Sequence, residues 1–212
     1  MRLVSSTPAG PTSNASVEIP LAAAKDRMSA YWQQARHTPT DWLGEDLLDG
    51  LTDRYVNSVR VPTSSTLEDL KGRSAIYLGN HQVQIESLVI SNLLPALTDV
   101  PMTTVAHMKH RHRWIGQAIA AVDSYPGSAG PAQIAYFDQT EPETMFELVN
   151  DVRQKMVAGS HSFFVHADGT RSQSARDTTS RVSSVFIDLA IELGVPIVPV
   201  RFTGGLPVAP ID

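Results

Sequence analysis

The stretch Tyr77–Ser87, YLGNHQVQIES, changes character at its centre. It closes an apolar run that begins at Ser74 (SAIYLGN), crosses Gly79-Asn80-His81, and continues into a helical pattern near Glu86–Leu94. The same handover recurs downstream. VPMTTVA leads to a helix near Trp114, and AAVDSYP reads as a short strand. PETMFELVNDVRQKMVAG is a helix with Met145, Leu148, Val149, Val152 and Met156 in phase and Gly159 as a C′ stop. HSFFVHA leads through a polar loop to a helix that turns Val182, Val185, Phe186, Leu189 and Leu193 inward and ends at Gly194. VPIVPV closes the series as a buried strand. Strands alternating with helices imply an α/β fold, a largely parallel central sheet flanked by helices.

Ahead of that core, PLAAAKDRMSAYWQQA sets Leu21, Ala24, Met28, Tyr31 and Trp32 on one face. DWLGEDLLDGLTDRYV does the same with Leu43, Leu47, Leu51 and Tyr55. The expected organisation is a flexible arm or linker over 1–17, an N-terminal helical pair over 18–60 packed on the core, and an α/β core over 61–212. The linker-like start and the blunt end after a strand read as a domain truncated or excised from a multidomain protein. No run reaches the roughly 18 apolar residues of a membrane span, and the first residues lack the apolar core of a signal peptide. A net charge of −5 excludes a global basic field for nucleic acid. Zero cysteines exclude a disulfide framework, a thiolate nucleophile and a cysteine-based zinc site. A cytoplasmic location fits, with at most peripheral membrane contact through an amphipathic face of the first helices.

In such sheets the loops after the strands open into one crevice. That rule brings together His81, the loop after VPMTTVA and the loop after HSFFVHA. An imidazole can take a proton from a hydroxyl, and a carboxylate on its other nitrogen fixes the tautomer and stabilises the imidazolium. His81 and Glu86 are spaced for this, although a capped helix start with an incidental histidine fits the same residues. Asp168-Gly169-Thr170-Arg171-Ser172 combines a flexible turn, hydroxyls and a cation, which suits an anion or a polyol. Taken alone, the stretch reads more simply as a glycine turn leaving a strand, with Arg171 solvated.

Taken together and in order, these stretches resemble the glycerolipid acyltransferase family that includes the lysophosphatidic acid and glycerol-3-phosphate acyltransferases. The family's N-H-x4-D motif stands here as Asn80, His81 and Glu86. Its F-P-E-G-T-R-S motif stands as His166, Ala167, Asp168, Gly169, Thr170, Arg171 and Ser172. Its V-P-I-V-P-V run matches Val195–Val200. The resemblance implies that His81 is a general base with Glu86 as its partner. It also implies that Asn80 and the Asp168–Ser172 loop bind substrate.

The implied reaction moves a fatty acyl group from the thioester of acyl-CoA or an acyl carrier protein to a hydroxyl of a lipid-like acceptor. It needs no covalent acyl-enzyme and no cofactor beyond the donor's own phosphopantetheine. The departures are Glu86 for aspartate, Asp168 for glutamate, His166 for phenylalanine and Ala167 for proline. In GQAIAAVDSYPG the second motif has Ser124 where the family carries its acceptor-binding arginine. Lys109, Arg111 and Arg113 in HMKHRHR can supply the missing cation. His107, His110 and His112 have metal-like spacing, but the flanking cations oppose a divalent ion and no metal is expected. Two other functions use the same residues: a thioester hydrolase with the same His/Glu pair, or a non-catalytic acyl-carrier-binding module of a synthase.

Overall fold

The protein is described by a computed structural model covering residues 16–36, 43–63, 65–83, 85–123, 134–138, 140–169 and 184–204. The chain begins with β1 (Val17–Ile19), α1 (Leu21–Arg36), α2 (Leu43–Tyr55), β2 (Val59–Val61) and α3 (Thr66–Leu70). The core follows as β3 (Ile76–Gly79), α4 (Ile85–Thr98), β4 (Met102–His107), α5 (Trp114–Asp123) and β5 (Ile134–Phe137). It ends with α6 (Pro142–Ala158), β6 (Ser162–His166), α7 (Val185–Leu193) and β7 (Ile197–Val200).

The five core strands form one parallel sheet in the order β5-β4-β6-β3-β7. Successive residues of a strand point to opposite faces, so each inner strand supplies two cores. Ile76, Val105, Phe163 and Val165 pack on Leu148, Val152 and Met156 of α6 and on Phe186, Leu189 and Ala190 of α7. Tyr77, Met102 and Phe164 point the other way, onto Ile90 and Leu94 of α4. Burial on both faces is why these strands read as apolar runs rather than alternating ones.

The N-terminal helices lie outside α4. Ala24 and Met28 of α1 are buried against Leu93, Ala96 and Leu97, and the Trp32 indole N–H donates to the Asn92 carbonyl at 3.0 Å. The expected apolar face of α1 therefore forms. Of the face expected on α2, Leu47 and Tyr55 are exposed and Leu51 is half-buried, and among the described side chains of this helix Thr52 is the buried one. A four-residue apolar period fits a helix face but does not fix which neighbour it meets.

Three further expectations are corrected. Ala121–Asp123 close α5 instead of forming a strand, and the next described strand is β5, Ile134–Phe137. The helical region also carries a two-stranded antiparallel ribbon, with Val17 opposite Val61 and Ile19 opposite Val59. Finally, β7 is a half-exposed edge strand, where Pro199 is tolerated because its missing N–H has no central ladder to serve. α6 does stop at Gly159, but with extended backbone (φ 172°) instead of a left-handed cap; Gly194 after α7 is left-handed (φ 64°). Residues 1–15, Ser124 and Val182, named in the sequence analysis, lie outside the described residues.

Candidate active site

Because all five strands run parallel, Gly79, His107, His166 and Val200 end on one rim, and the polar residues that follow them gather there. Gly79 is needed where it stands. A Cβ there would lie 2.5 Å from Cζ of the buried Phe164 ring. The chain then leaves β3 through Asn80, whose side-chain amide donates to the Phe202 carbonyl at 3.0 Å and accepts from the Phe202 N–H at 2.7 Å. Asn80 thus acts as a clip between β3 and the segment after β7, with both amide atoms engaged on backbone.

His81 comes next and turns Nδ1 to Glu86 Oε1 at 2.8 Å. The same oxygen accepts the backbone N–H groups of Gln82 at 2.6 Å and Val83 at 2.8 Å. Glu86 is in the first turn of α4, where orphan N–H groups and the helix dipole favour a carboxylate. Its length lets it fold back over the preceding loop. Three N–H donors converging on one oxygen hold it as an acceptor, so Nδ1 of His81 carries the hydrogen and Nε2 is left with a lone pair. The Glu86 side chain is only 4% exposed and its second oxygen has no hydrogen-bond partner among the described residues, while His81 keeps 14% exposure. A base with a solvent-reachable edge, backed by a buried carboxylate, is able to accept a proton from a substrate hydroxyl.

His166, at the end of β6, stacks on His81 with ring centroids 3.9 Å apart and planes 23° from parallel. Its Nδ1 lies 3.2 Å from the Asn80 carbonyl and its Nε2 2.7 Å from the Ser87 hydroxyl. Burial, followed by the charge of His81, lowers its pKa to about 3, against the opposing pull of the Asn80 carbonyl. Ligand atoms of His81, Glu86 and His166 lie within 4.8 Å of one another, as a divalent ion would require. Stacking works against that use, because the lone pairs of two near-parallel rings lie in separate planes and do not aim at a common point.

After His166 the Ala167 N–H continues the ladder to the Gly79 carbonyl at 2.8 Å, and Gly169 turns the chain with φ 64°. Asp168 has a buried oxygen, Oδ1, with no hydrogen-bond partner among the described residues. Thr170, Arg171 and Ser172 lie outside the described residues. Lys109, Arg111 and Arg113 are exposed on the turn between β4 and α5, and no ion pair engages them among the described residues. This turn packs tightly on α5, since a Cβ on Gly116 would fall 2.3 Å from the His110 carbonyl oxygen. The pKa of His110 is lowered to about 4 by burial and then by Lys109, Arg113, His107 and His81, which places Lys109, Arg113 and His81 in one electrostatic neighbourhood.

The Acyltransferase family model matches residues 58–203, more than half of the chain. The chain belongs to the acyltransferase family. No curated protein matches it. The matched span of this acyltransferase covers every residue described above on the rim, and it leaves α1 and α2 outside. His166, the Ser87 hydroxyl and the Gln82 and Val83 backbone escaped the sequence reading. Their only sequence signal was the histidine at the phenylalanine position of the third motif.

Proposed function

We propose that this acyltransferase moves a fatty acyl group from the thioester of acyl-CoA or an acyl carrier protein to a hydroxyl of a lipid-like acceptor. The observation that carries this reading is the His81 Nδ1–Glu86 Oε1 pair, 2.8 Å apart on the rim where the strands end. Nε2 of His81 takes the acceptor's hydroxyl proton as the oxygen attacks the thioester carbonyl carbon. The tetrahedral intermediate collapses with loss of the thiolate, which recovers the proton from His81. Glu86 holds the tautomer and offsets the imidazolium charge between the two steps. No acyl-enzyme is needed.

Lys109, Arg111 and Arg113 support binding of a phosphate-bearing arm beside the base, and Asp168, Gly169, Thr170, Arg171 and Ser172 are the proposed acceptor-side loop. Among the described residues no helix is long and apolar enough to cross a membrane, and contact with a lipid surface is proposed as peripheral. The test is thiol release from an acyl-CoA and from an acyl carrier protein thioester, each with and without a lysophospholipid or alcohol acceptor. Acceptor-dependent release that His81→Ala abolishes is the expected result. Release that ignores the acceptor identifies a hydrolase instead. Equal rates for wild type and His81→Ala identify a binding module.

A further inference from the structure

His166 sits in the middle of the site, although nothing in the transfer reaction as derived calls for a second histidine. Its ring is wedged between His81 on one side and the Phe164 ring, which meets it edge-on with centroids 4.9 Å apart. A carbonyl only accepts, so the 3.2 Å contact with Asn80 puts the hydrogen on Nδ1. Nε2 then holds the lone pair, and the single hydroxyl hydrogen of Ser87 fills it at 2.7 Å. Ser87 is itself held in α4, where its carbonyl accepts from the Ser91 hydroxyl at 2.7 Å. Every polar atom of the His166 ring is thus occupied.

We propose that His166 is a positioning residue for His81: a neutral imidazole floor, locked in one tautomer by the Asn80 carbonyl and the Ser87 hydroxyl, that keeps the base aligned with Glu86 and admits one proton to the site. The proposal rests on the reading of His81 as the base. A neutral ring face beside the imidazolium that forms on His81 is favourable, whereas a second cation 3.9 Å away would repel it. The groups that face His166 differ in sign, and burial with the two histidines outweighs the Asn80 carbonyl, which favours a proton on it. His81 from the β3–α4 loop and His110 from the turn after β4 both oppose a proton on it. Glu86 has a carboxylate oxygen within 4.8 Å of a His166 ring nitrogen, but its Oε1 is engaged by His81 and the loop backbone, and Asp168 follows two positions later in the turn that the Gly169 N–H closes on the His166 carbonyl. These surroundings also distinguish the arrangement from a Ser87–His166 nucleophile pair. A base for Ser87 would have to accept the hydroxyl proton that its neighbours repel.

The test combines activity with a readout independent of it. Histidine-selective carbon and nitrogen NMR of the wild type should show His166 neutral, with the hydrogen on Nδ1, across about pH 5 to 8. Ser87→Ala, which empties Nε2, should raise the pH at which His166 takes up a proton and steepen the acid limb of kcat/KM. His166→Ala should lower kcat about tenfold or more with KM unchanged, because a displaced base loses its alignment. His166→Phe, which restores a flat ring, should recover kcat to within about threefold of wild type. Full activity in His81→Ala removes the base, and this proposal with it. Loss in His81→Ala together with wild-type kcat and pH profile in both His166 variants overturns the positioning role alone. Recovery of an acyl group on Ser87 by mass spectrometry also overturns it, in favour of a nucleophile pair.

Discussion

Replacing Glu86 by glutamine removes one charge and keeps the shape of the site. Oε1 accepts from three N–H donors, His81 Nδ1 at 2.8 Å, Gln82 at 2.6 Å and Val83 at 2.8 Å. A glutamine must therefore leave its amide oxygen in that position, since its NH2 group would confront two backbone N–H groups. The tautomer of His81 is preserved, and only the attraction between carboxylate and imidazolium is lost. With charge centres about 4 Å apart and an effective dielectric near 20, that attraction is about 4 kcal/mol. It exists only while His81 carries the proton, so its loss falls on the transition state. At about 1.4 kcal/mol per tenfold, the ceiling is a fall of roughly a thousandfold. The exposed edge of His81 admits water and brings the expected loss in kcat to about a hundredfold to a thousandfold, with KM little changed. Steady-state thiol release with saturating acceptor measures it, with circular dichroism and a denaturation midpoint as controls. A folded Glu86→Gln protein within about threefold of the wild-type kcat would refute the role given to the charge.

Two further outcomes follow from packing and burial. Gly79→Ala should lower the unfolding free energy by about 1–3 kcal/mol, read by urea titration, because its methyl must displace the buried Phe164 ring from 2.5 Å. His161 is 6% exposed and shares a 2.9 Å hydrogen bond with Thr103, and burial lowers its pKa from 6.5 to about 4. Below pH 6.5 the unfolded chain therefore binds a proton that the folded one refuses. Stability should fall as the pH drops from 6.5 towards 4, by roughly 3 kcal/mol at most from this group. His161→Gln should flatten that slope in denaturation series at successive pH values, and an unchanged slope would acquit His161.

The alternation of strands and helices was legible because the inner strands, buried on both faces, are continuous apolar runs bounded by turns. IAYF escaped for the opposite reason: β5 is a four-residue edge strand, half-buried throughout, with too little pattern to outweigh the apolar AAV before it. Short apolar runs do not distinguish strand from helix, and Ala120–Asp123 went to α5. The helix after His81 was expected to end near Leu94, yet α4 runs through Pro95 to Thr98. Burial of Leu94, Ala96 and Leu97 outweighs the hydrogen bond that Pro95 removes, a matter of tertiary contact that no propensity carries. At the site, the spacing of His81 and Glu86 left a capped helix start open, and the pairing rested on the two later motif stretches; in the structure His81 lies in the loop before α4 and Glu86 in its first turn. The place of His166 depends on β3 and β6 being neighbours, with Gly79 opposite His166. Residues 86 apart in the chain meet only through that strand order, which the sequence does not spell out.

The clip between Asn80 and Phe202 spans 122 positions of chain. During synthesis the segment with His81 and Glu86 therefore emerges long before the segment after β7 that anchors its loop. A nascent chain that has reached α6 already holds both members of the pair, but neither Phe202 to fasten Asn80 nor His166 to support the imidazole. On the proposed reading of His81 as the base, acyl transfer begins only after β7 and the segment carrying Phe202 have docked, so the onset of activity would time that docking.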